Sequence, residues 1–356
     1  MTRAPTRSGV IRLARLTDLA AVGDLSRRSS DPGDDTRSLG LPVAGLPISV
    51  FGLFALPLGA FRPSDRLYVH VEDGTVTGLA RLELEPNDEG TIVELDAVGA
   101  GNAGDVRFRL VDHVLRDGAK RGVVRFHVAC ADAMDNVELF MQAGFMRYGE
   151  ERLLYRPPNA GLPAPLPQAE TAAAGIRAAV ALDALALARL YAAATPQPVV
   201  RLEAYRLPDW ERVSGQPRPP RSSLTPLLRL SDLEAYVTES RDDGPDGSRL
   251  EAFLQVGIAQ AAQPHYLRVL ALPGIDVHPL IRFALGTIAA RTAAHRRDGL
   301  LGHRGEQGIL APMRTYEAPI DRQLEDEGFR EIATVTLLLK ETLARIAEPA
   351  LVPAVR

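Results

Sequence analysis

Apolar and polar residues alternate along RLYVHVE (66–72), TGLARLEL (77–84) and TIVELDAV (91–98). That period predicts strands, because successive strand side chains point to opposite faces. The Asp73-Gly74 turn joins the first two as a hairpin. The period then lengthens: in 105–122, Val106, Leu110, Val111, Val114 and Leu115 recur at helical spacing. VVRFHVA (123–129) returns to a strand. NVELFMQAGF (136–145) reads as a helix closed by Gly144 in a left-handed conformation, with Phe145 turning inward and a further strand to Tyr155. Ahead of all these, Ile11-Arg12 is extended, and a helix pattern runs through Leu25 with Thr17 or Asp18 placed to cap it.

The second half repeats this order. LEAYVTES (233–240), RLEAFLQVGIA (249–259) and HYLRVLAL (265–272) read as strands, 277–297 as a helix, and GILAPMR (308–314) as a strand. IDRQLEDEGF (320–329) is a second glycine-closed helix before the strand IATVTLLLK (332–340). Ile11, Arg12, Asp18 and Leu25 reappear 165 positions later as Ile176, Arg177, Asp183 and Leu190, while Gly144 and Gly328 lie 184 apart. The second copy is therefore longer, and RPPRSS (218–223) and RDDGPDG (241–247) are natural places for part of the excess. Between the copies, 156–175 is rich in Pro, Ala and Gly and has no periodicity, which suits a semi-extended linker. This organisation predicts a first domain at 9–156, a linker at 157–174 and a second domain at 175–346.

A length of 356 residues fits two domains, and 46% hydrophobic with 24% charged residues fits a globular chain. One cysteine, Cys130, excludes an intrachain disulfide or a multi-cysteine zinc site and suits a reducing, cytoplasmic setting. A net charge of −4 argues against general nucleic-acid binding. The seven histidines lack metal-ligand spacing, so no metal is expected, and 241–247 reads as a hairpin turn rather than a calcium loop. No GxSxG, Walker A or Rossmann fingerprint occurs. The 24 uncharged residues of 38–61 are long enough for a membrane span, but three prolines and four glycines break them. No membrane association is expected. Short helical turns packed over the core, or an apolar wall over a ligand cleft, both fit that segment.

The repeated Ile-Arg-x5-Asp openings, the closing Gly144-Phe145 and Gly328-Phe329, and the element order resemble the Gcn5-related N-acetyltransferase (GNAT) superfamily, occurring twice in tandem. The resemblance implies an α/β (α+β) chain of two tandem GNAT folds, each a bent mixed sheet flanked by helices. It implies that each sheet splays between its fourth and fifth strands and that acetyl-coenzyme A, as cosubstrate, enters there. The pyrophosphate would lie on backbone N–H groups at a helix start, where unpaired donors and a partial positive charge favour an anion. In the first half the implied cofactor contacts are Val98, Gly99, Gly101, Ala103 and Gly104, with Asn136 and Phe140 from the closing helix. Asn136 is equally placed to cap that helix, and the glycines of GAGNAGD equally serve a tight turn.

Several positions depart from the family pattern. The loop lacks the usual Gln/Arg-x-x-Gly-x-Gly/Ala spelling, and Asp105 follows it. The family's asparagine falls on Ala133, with Asn136 in its alanine place. The tyrosine that often protonates the leaving thiolate is Phe140 here and Leu324 in the second half. The second loop, LPGIDVHP (272–279), has one glycine and Asp276, so weak or absent cofactor binding is expected there. Glu94, on the strand where family members often carry a Glu, is the candidate general base, or else a solvated carboxylate. Two readings follow. One is an acetyl-CoA-dependent N-acetyltransferase working in the N-terminal domain on a small-molecule or peptide amine, compatible with a homodimer. The other is a catalytically degenerate tandem scaffold that binds a ligand or partner.

Overall fold

The computed structural model describes residues 9–28, 37–41, 65–85, 88–98, 102–133, 135–211, 221–224, 228, 230–239, 250–259, 263–297 and 307–342. The strands of the first half are β1 (Val10–Leu13), β2 (Asp65–Glu72), β3 (Thr75–Glu85), β4 (Glu89–Ala97), β5 (Arg125–Cys130) and β6 (Met146–Arg156). Its helices are α1 (Leu19–Arg28), α2 (Ala103–Lys120) and α3 (Asn136–Gln142). The stretch expected as a linker holds one helical turn and α4 (Gln168–Ala173). The second half contains β7 (Ile176–Ala178), α5 (Ala184–Ala194), α6 (Gln197–Glu203), α7 (Leu207–Glu211), β8 (Leu230–Glu239), β9 (Leu250–Ala259) and β10 (His265–Ala271). It ends with α8 (His278–Arg297), β11 (Ile309–Arg314), α9 (Ala318–Asp326) and β12 (Arg330–Glu341). Helices α6 and α7 have no counterpart in the sequence reading. Most of the apolar 38–61 segment, together with Gly99 and Gly101, lies outside the described residues.

The strands form one sheet of twelve in the order β1-β2-β3-β4-β5-β12-β6-β11-β10-β9-β8-β7. The order is palindromic about the β12–β6 pair. Each half's last strand has crossed to the other half: β12 pairs antiparallel with β5, and β6 pairs antiparallel with β11. The two exchanged strands also pair with each other from Arg330↔Tyr155 to Leu339↔Met146. No helix among the described residues is long and apolar enough to cross a membrane.

The repeated sequence landmarks are structural clamps. Arg12 grips Asp18 through both carboxylate oxygens (2.6 and 3.0 Å), and Asp18 accepts the Arg15 N–H at 2.7 Å. Arg177 holds Asp183 the same way (2.8 and 2.8 Å), and Asp183 accepts the Val180 N–H at 2.8 Å. Thus Asp18, rather than Thr17, satisfies the backbone at the helix entrance. At the other landmark, Gly144 and Gly328 take φ of +85° and +89°, and Phe145 and Phe329 donate N–H bonds to Phe140 O and Leu324 O at 2.9 and 3.1 Å. These are six-to-one helix closures that need a residue free to adopt positive φ.

Helix α2 buries Val106, Leu110, Val111, Val114 and Leu115 against Leu82, Ile92, Leu95, Phe126 and Val128. Each such side chain contributes about 1.5–3 kcal/mol on burial. A Cβ at Gly118 would stand 2.6 Å from the Phe126 ring, so this glycine permits the close approach of α2 to β5. Helix α1 packs on the opposite face, with Val22 and Leu25 against Leu67, Val69 and Leu79. A third cluster lies where the halves join: Ala129, Leu153, Leu310, Val335 and Leu337 are covered by Leu224 and Leu228.

Candidate functional site

In the first half, parallel strands β4 and β5 pair only from Glu89↔Arg125 to Ile92↔Val128. Beyond that point β4 continues to Ala97 and β5 to Cys130 without pairing to each other. The split coincides with a bulge. Arg81 faces Glu94 and Leu82 faces Ile92, so Val93 is the extra residue in β4. A bulge bends its strand and re-aims side chains. Glu94 follows it, with its side chain 22% exposed, accepting a bond from Ser26 Oγ at 2.7 Å and lying 3.5 Å from Arg81 Nε. Asp96 is buried.

Helix α2 starts beyond the split. Its N-cap, Asn102, makes no side-chain capping bond, and among the described residues nothing lies within 4 Å of a Cβ on Gly104. Asp105 is exposed in the first turn, whereas Ala103 is buried in the core. Val98 donates its N–H to Thr77 O at 3.0 Å and packs on the α1 side of the sheet. Phe140 has no exposed surface and meets Phe145 edge-on, with ring centroids 5.2 Å apart. Asn136 is also fully buried. It follows the N-cap Asp135, and its Nδ2 donates to Leu39 O (3.2 Å) and Ala131 O (3.3 Å) while its Oδ1 accepts from Arg107. Both side chains are buried in this conformation, and Asn136 is the first residue of its helix rather than its cap.

A short piece of chain lies in the split itself. Arg37 forms a two-bond bridge with Ala97 at the end of β4: Arg37 N–H to Ala97 O at 2.9 Å, and Ala97 N–H to Arg37 O at 3.0 Å. Two residues on, Leu39 O accepts the N–H of Ala131, just past β5, at 2.8 Å. Arg107 Nη2 donates to Ser38 O at 3.3 Å. Leu39 is buried and belongs to the same apolar cluster as Ala97, Ala103, Cys130 and Phe140. Burial, partly opposed by the charge of Asp96, lowers the Arg107 guanidinium to about 10.

The second half has the same split and closes it differently. Strands β10 and β11 pair only at His265↔Ile309 and Tyr266↔Leu310. Arg268, 1% exposed, reaches across and binds Glu317 through both nitrogens at 2.7 Å, with Nη1 also donating to Val269 O at 2.8 Å. At the start of α8, Asp276 Oδ1 accepts the His278 N–H at 3.0 Å and Gln323 Oε1 accepts the Val277 N–H at 2.7 Å. Two N–H donors at this helix start are thus already occupied, one of them by a carboxylate. The His278 bonds hold Asp276 below the usual carboxylate range.

The sequence reading missed a polar cluster between the halves. Arg221, in the loop read as an insertion, binds Glu85 on β3 at 2.8 Å and also Glu89 on β4. Its backbone N–H donates to Tyr205 Oη at 2.6 Å, and its carbonyl accepts from Arg314 at 2.8 Å. Arg314 binds Glu203 at 2.7 Å, and Ser223 N–H donates to the buried Glu151 at 2.9 Å. Burial alone would raise Glu85, but the Arg221 charge, the Thr91 hydroxyl and His127 reverse this and bring it to about 2. Burial and the Arg221 charge lower His127. A charged residue in a Pro/Ser-rich loop carries no periodicity, so only the fold could reveal these contacts.

No family model matches the chain, and no curated protein matches it in sequence. Solved structures match it in shape. A tandem GNAT protein from the clavulanic acid biosynthesis pathway, solved without AcCoA, is 14% identical, with 94% of this chain and 98% of that one covered at a TM-score of 0.50. A GCN5-related N-acetyltransferase from Sphaerobacter thermophilus is 14% identical, with coverage of 95% and 97% and a TM-score of 0.51. A putative acetyltransferase from Pyrococcus horikoshii is 10% identical, with coverage of 97% and 93% and a TM-score of 0.50. With the duplicated element order and the parted strands in each half, these likenesses over nearly the whole length give the chain the tandem fold of the GCN5-related N-acetyltransferases.

Proposed function

We propose that the chain is an acetyl-CoA-dependent N-acetyltransferase whose chemistry takes place in the N-terminal unit, assigned to 9–156, with 175–346 as a non-catalytic partner unit. The supporting observation is the asymmetry between the two splits. Among the described residues the α2 N-terminus carries no side-chain cap and nothing stands within 4 Å of a Cβ on Gly104, while at the α8 N-terminus Asp276 and Gln323 already hold two N–H groups. An uncapped helix start offers N–H donors to a diphosphate, whereas a carboxylate already bound there repels one. The residues that would hold the cofactor are Ala103 and Gly104 through their backbone, with the loop containing Gly99 and Gly101. The cofactor would supply an acetyl thioester. In the transfer, the amine nitrogen bonds to the acetyl carbon, the carbon–sulfur bond breaks, and the thiolate departs. Glu94 is the proposed acceptor of the amine proton, positioned by Ser26 and Arg81 beside the bulge. A thiolate is stable enough to leave unaided, because thiols ionise near pH 8–9, so Phe140 in the tyrosine's place does not preclude turnover.

The test is release of free thiol from acetyl-CoA in the presence of a panel of primary amines. The proposal expects amine-dependent thiol release, reduced about a hundredfold or more in Glu94→Gln. Thiol release with no amine in the panel, or an unimpaired Glu94→Gln, contradicts it. A second reading, a degenerate scaffold, is favoured by the segment 37–41 inside the N-terminal split and by the fully buried Phe140. It expects no turnover with any amine and no effect of Glu94→Gln on function in the cell.

A further inference from the structure

Past the β4–β5 split, each strand presents a free edge whose N–H and C=O groups need partners. Residues 37–41 meet both edges at once. Arg37 takes the donor and the acceptor of Ala97 on the β4 side, and Leu39 O takes the Ala131 donor on the β5 side. The side chains lining the split are engaged as well: Arg107 holds Ser38 O, and Asn136 holds Leu39 O. The buried Leu39 side chain joins the apolar cluster that also holds Ala97, Ala103 and Phe140. An extended chain bearing amide groups is therefore already bound where the two strands part.

We infer that residues 37–41 are a built-in plug that occupies the slot for the amide-bearing arm of coenzyme A, so that the N-terminal site is latent until this segment withdraws. The inference rests on the transferase reading above and specifies how that site is controlled. The arm of coenzyme A carries two amides, and it can bond to strand edges as a peptide does. Peptide and cofactor would thus compete for the same donors, acceptors and apolar space. The contrast with the second half is physical. Backbone bonds to 37–41 can be exchanged for equivalent bonds to a ligand. Withdrawing Glu317 from Arg268 would instead leave a charge buried without its counterion. The N-terminal closure is reversible in kind, and the C-terminal one is not.

Two substitutions weaken the plug without touching the proposed diphosphate site or Glu94. Arg37→Pro removes the N–H donated to Ala97. Gly40→Val places a branched side chain at φ of +65°, with its Cβ 3.0 Å from the Ala131 Cβ. A ligand that needs the open state binds with an affinity reduced by the fraction of open molecules, and releasing the plug restores it. Coenzyme A is titrated by calorimetry into the full chain and both variants, with circular dichroism to verify folding. Amide hydrogen exchange of the peptide covering 37–41 is followed in the wild type with and without millimolar coenzyme A. The expected result is binding at least about tenfold tighter in either variant and faster exchange at 37–41 in the wild type when coenzyme A is present. Equal affinity in all three proteins, with exchange at 37–41 unchanged, overturns the plug and leaves the transferase reading standing. No binding to the wild type or to either variant overturns the transferase reading and the plug with it. The exchange measurement needs no substitution, so it decides the matter even where a variant fails to fold.

Discussion

Removing Glu317 is the sharpest test of how the second half is closed. Arg268 is buried, and both of its terminal nitrogens bond to the Glu317 carboxylate at 2.7 Å. Glu317 also accepts the Arg314 N–H at 2.8 Å. In Glu317→Leu the guanidinium keeps the Val269 carbonyl but loses its counterion in a site that water does not reach. Breaking a buried pair from one side costs about 3–5 kcal/mol. The freed Arg314 N–H adds about 1–3 kcal/mol. Replacing both partners is different: in Arg268→Met/Glu317→Leu neither charge of the pair remains, and the Arg314 N–H and the Val269 carbonyl lose the bonds that Glu317 and Arg268 made to them. The double variant should therefore recover most of the loss, with a coupling of about 2 kcal/mol or more across the cycle. The assay is urea unfolding of the four proteins followed by circular dichroism. A single-variant loss below about 1 kcal/mol, or a cycle additive to within about 0.5 kcal/mol, would show that the pair does not lock the split.

Truncation after residue 160 removes β12 and leaves β5 and β6 with bare edges, so the first half alone should be unfolded or aggregated by light scattering. A monodisperse, folded fragment would refute the role given to strand exchange. Glu85 is lowered from 4.5 to about 2, so the wild type's advantage in stability over Glu85→Gln is fully present above pH 4.5 and is lost as the pH falls through about 2. Unfolding curves across that range check the sign, and an advantage that grows on acidification would contradict it. Gly118→Ala meets the Phe126 ring and should cost about 1–3 kcal/mol. In Gly104→Ala the added methyl, in a helix, meets none of the described residues and should stabilise by about 0.4–1 kcal/mol. Thermal melts of the two variants shifting in the same direction would contradict the glycine assignments.

Much of the architecture was legible because its signals are local. The strand and helix periods of 66–129 depend on one face being buried, and the Arg–Asp clamps and glycine closures are short-range devices that recur in both halves. The exchange of β6 and β12 was not legible. A strand reads the same whichever neighbour it pairs with, and its partner lies up to 216 residues away, as with Arg125 and Glu341. The site was legible only in part. The strand that carries Glu94 follows from spacing, its proposed role from the family resemblance, and the contrast between the two helix-start loops from their glycines and charge. The burial of Asn136 and Phe140, the engagement of Arg107 and the insertion of 37–41 depend on chain segments meeting in space. Arg221 shows the same limit, since nothing in Arg-Pro-Pro-Arg-Ser-Ser marks it as the partner of two glutamates on β3 and β4.

The central claim is that one of the two units, the N-terminal one, takes the cofactor at the start of α2. Calorimetric titration of acetyl-CoA into the wild type and into Gly104→Glu tests it directly, because a Cβ at 104 meets none of the described residues while the added carboxylate repels a diphosphate at that helix start. The account predicts one binding site per chain, lost in Gly104→Glu with the protein still folded. Two sites per chain, or binding unchanged by Gly104→Glu, would contradict it.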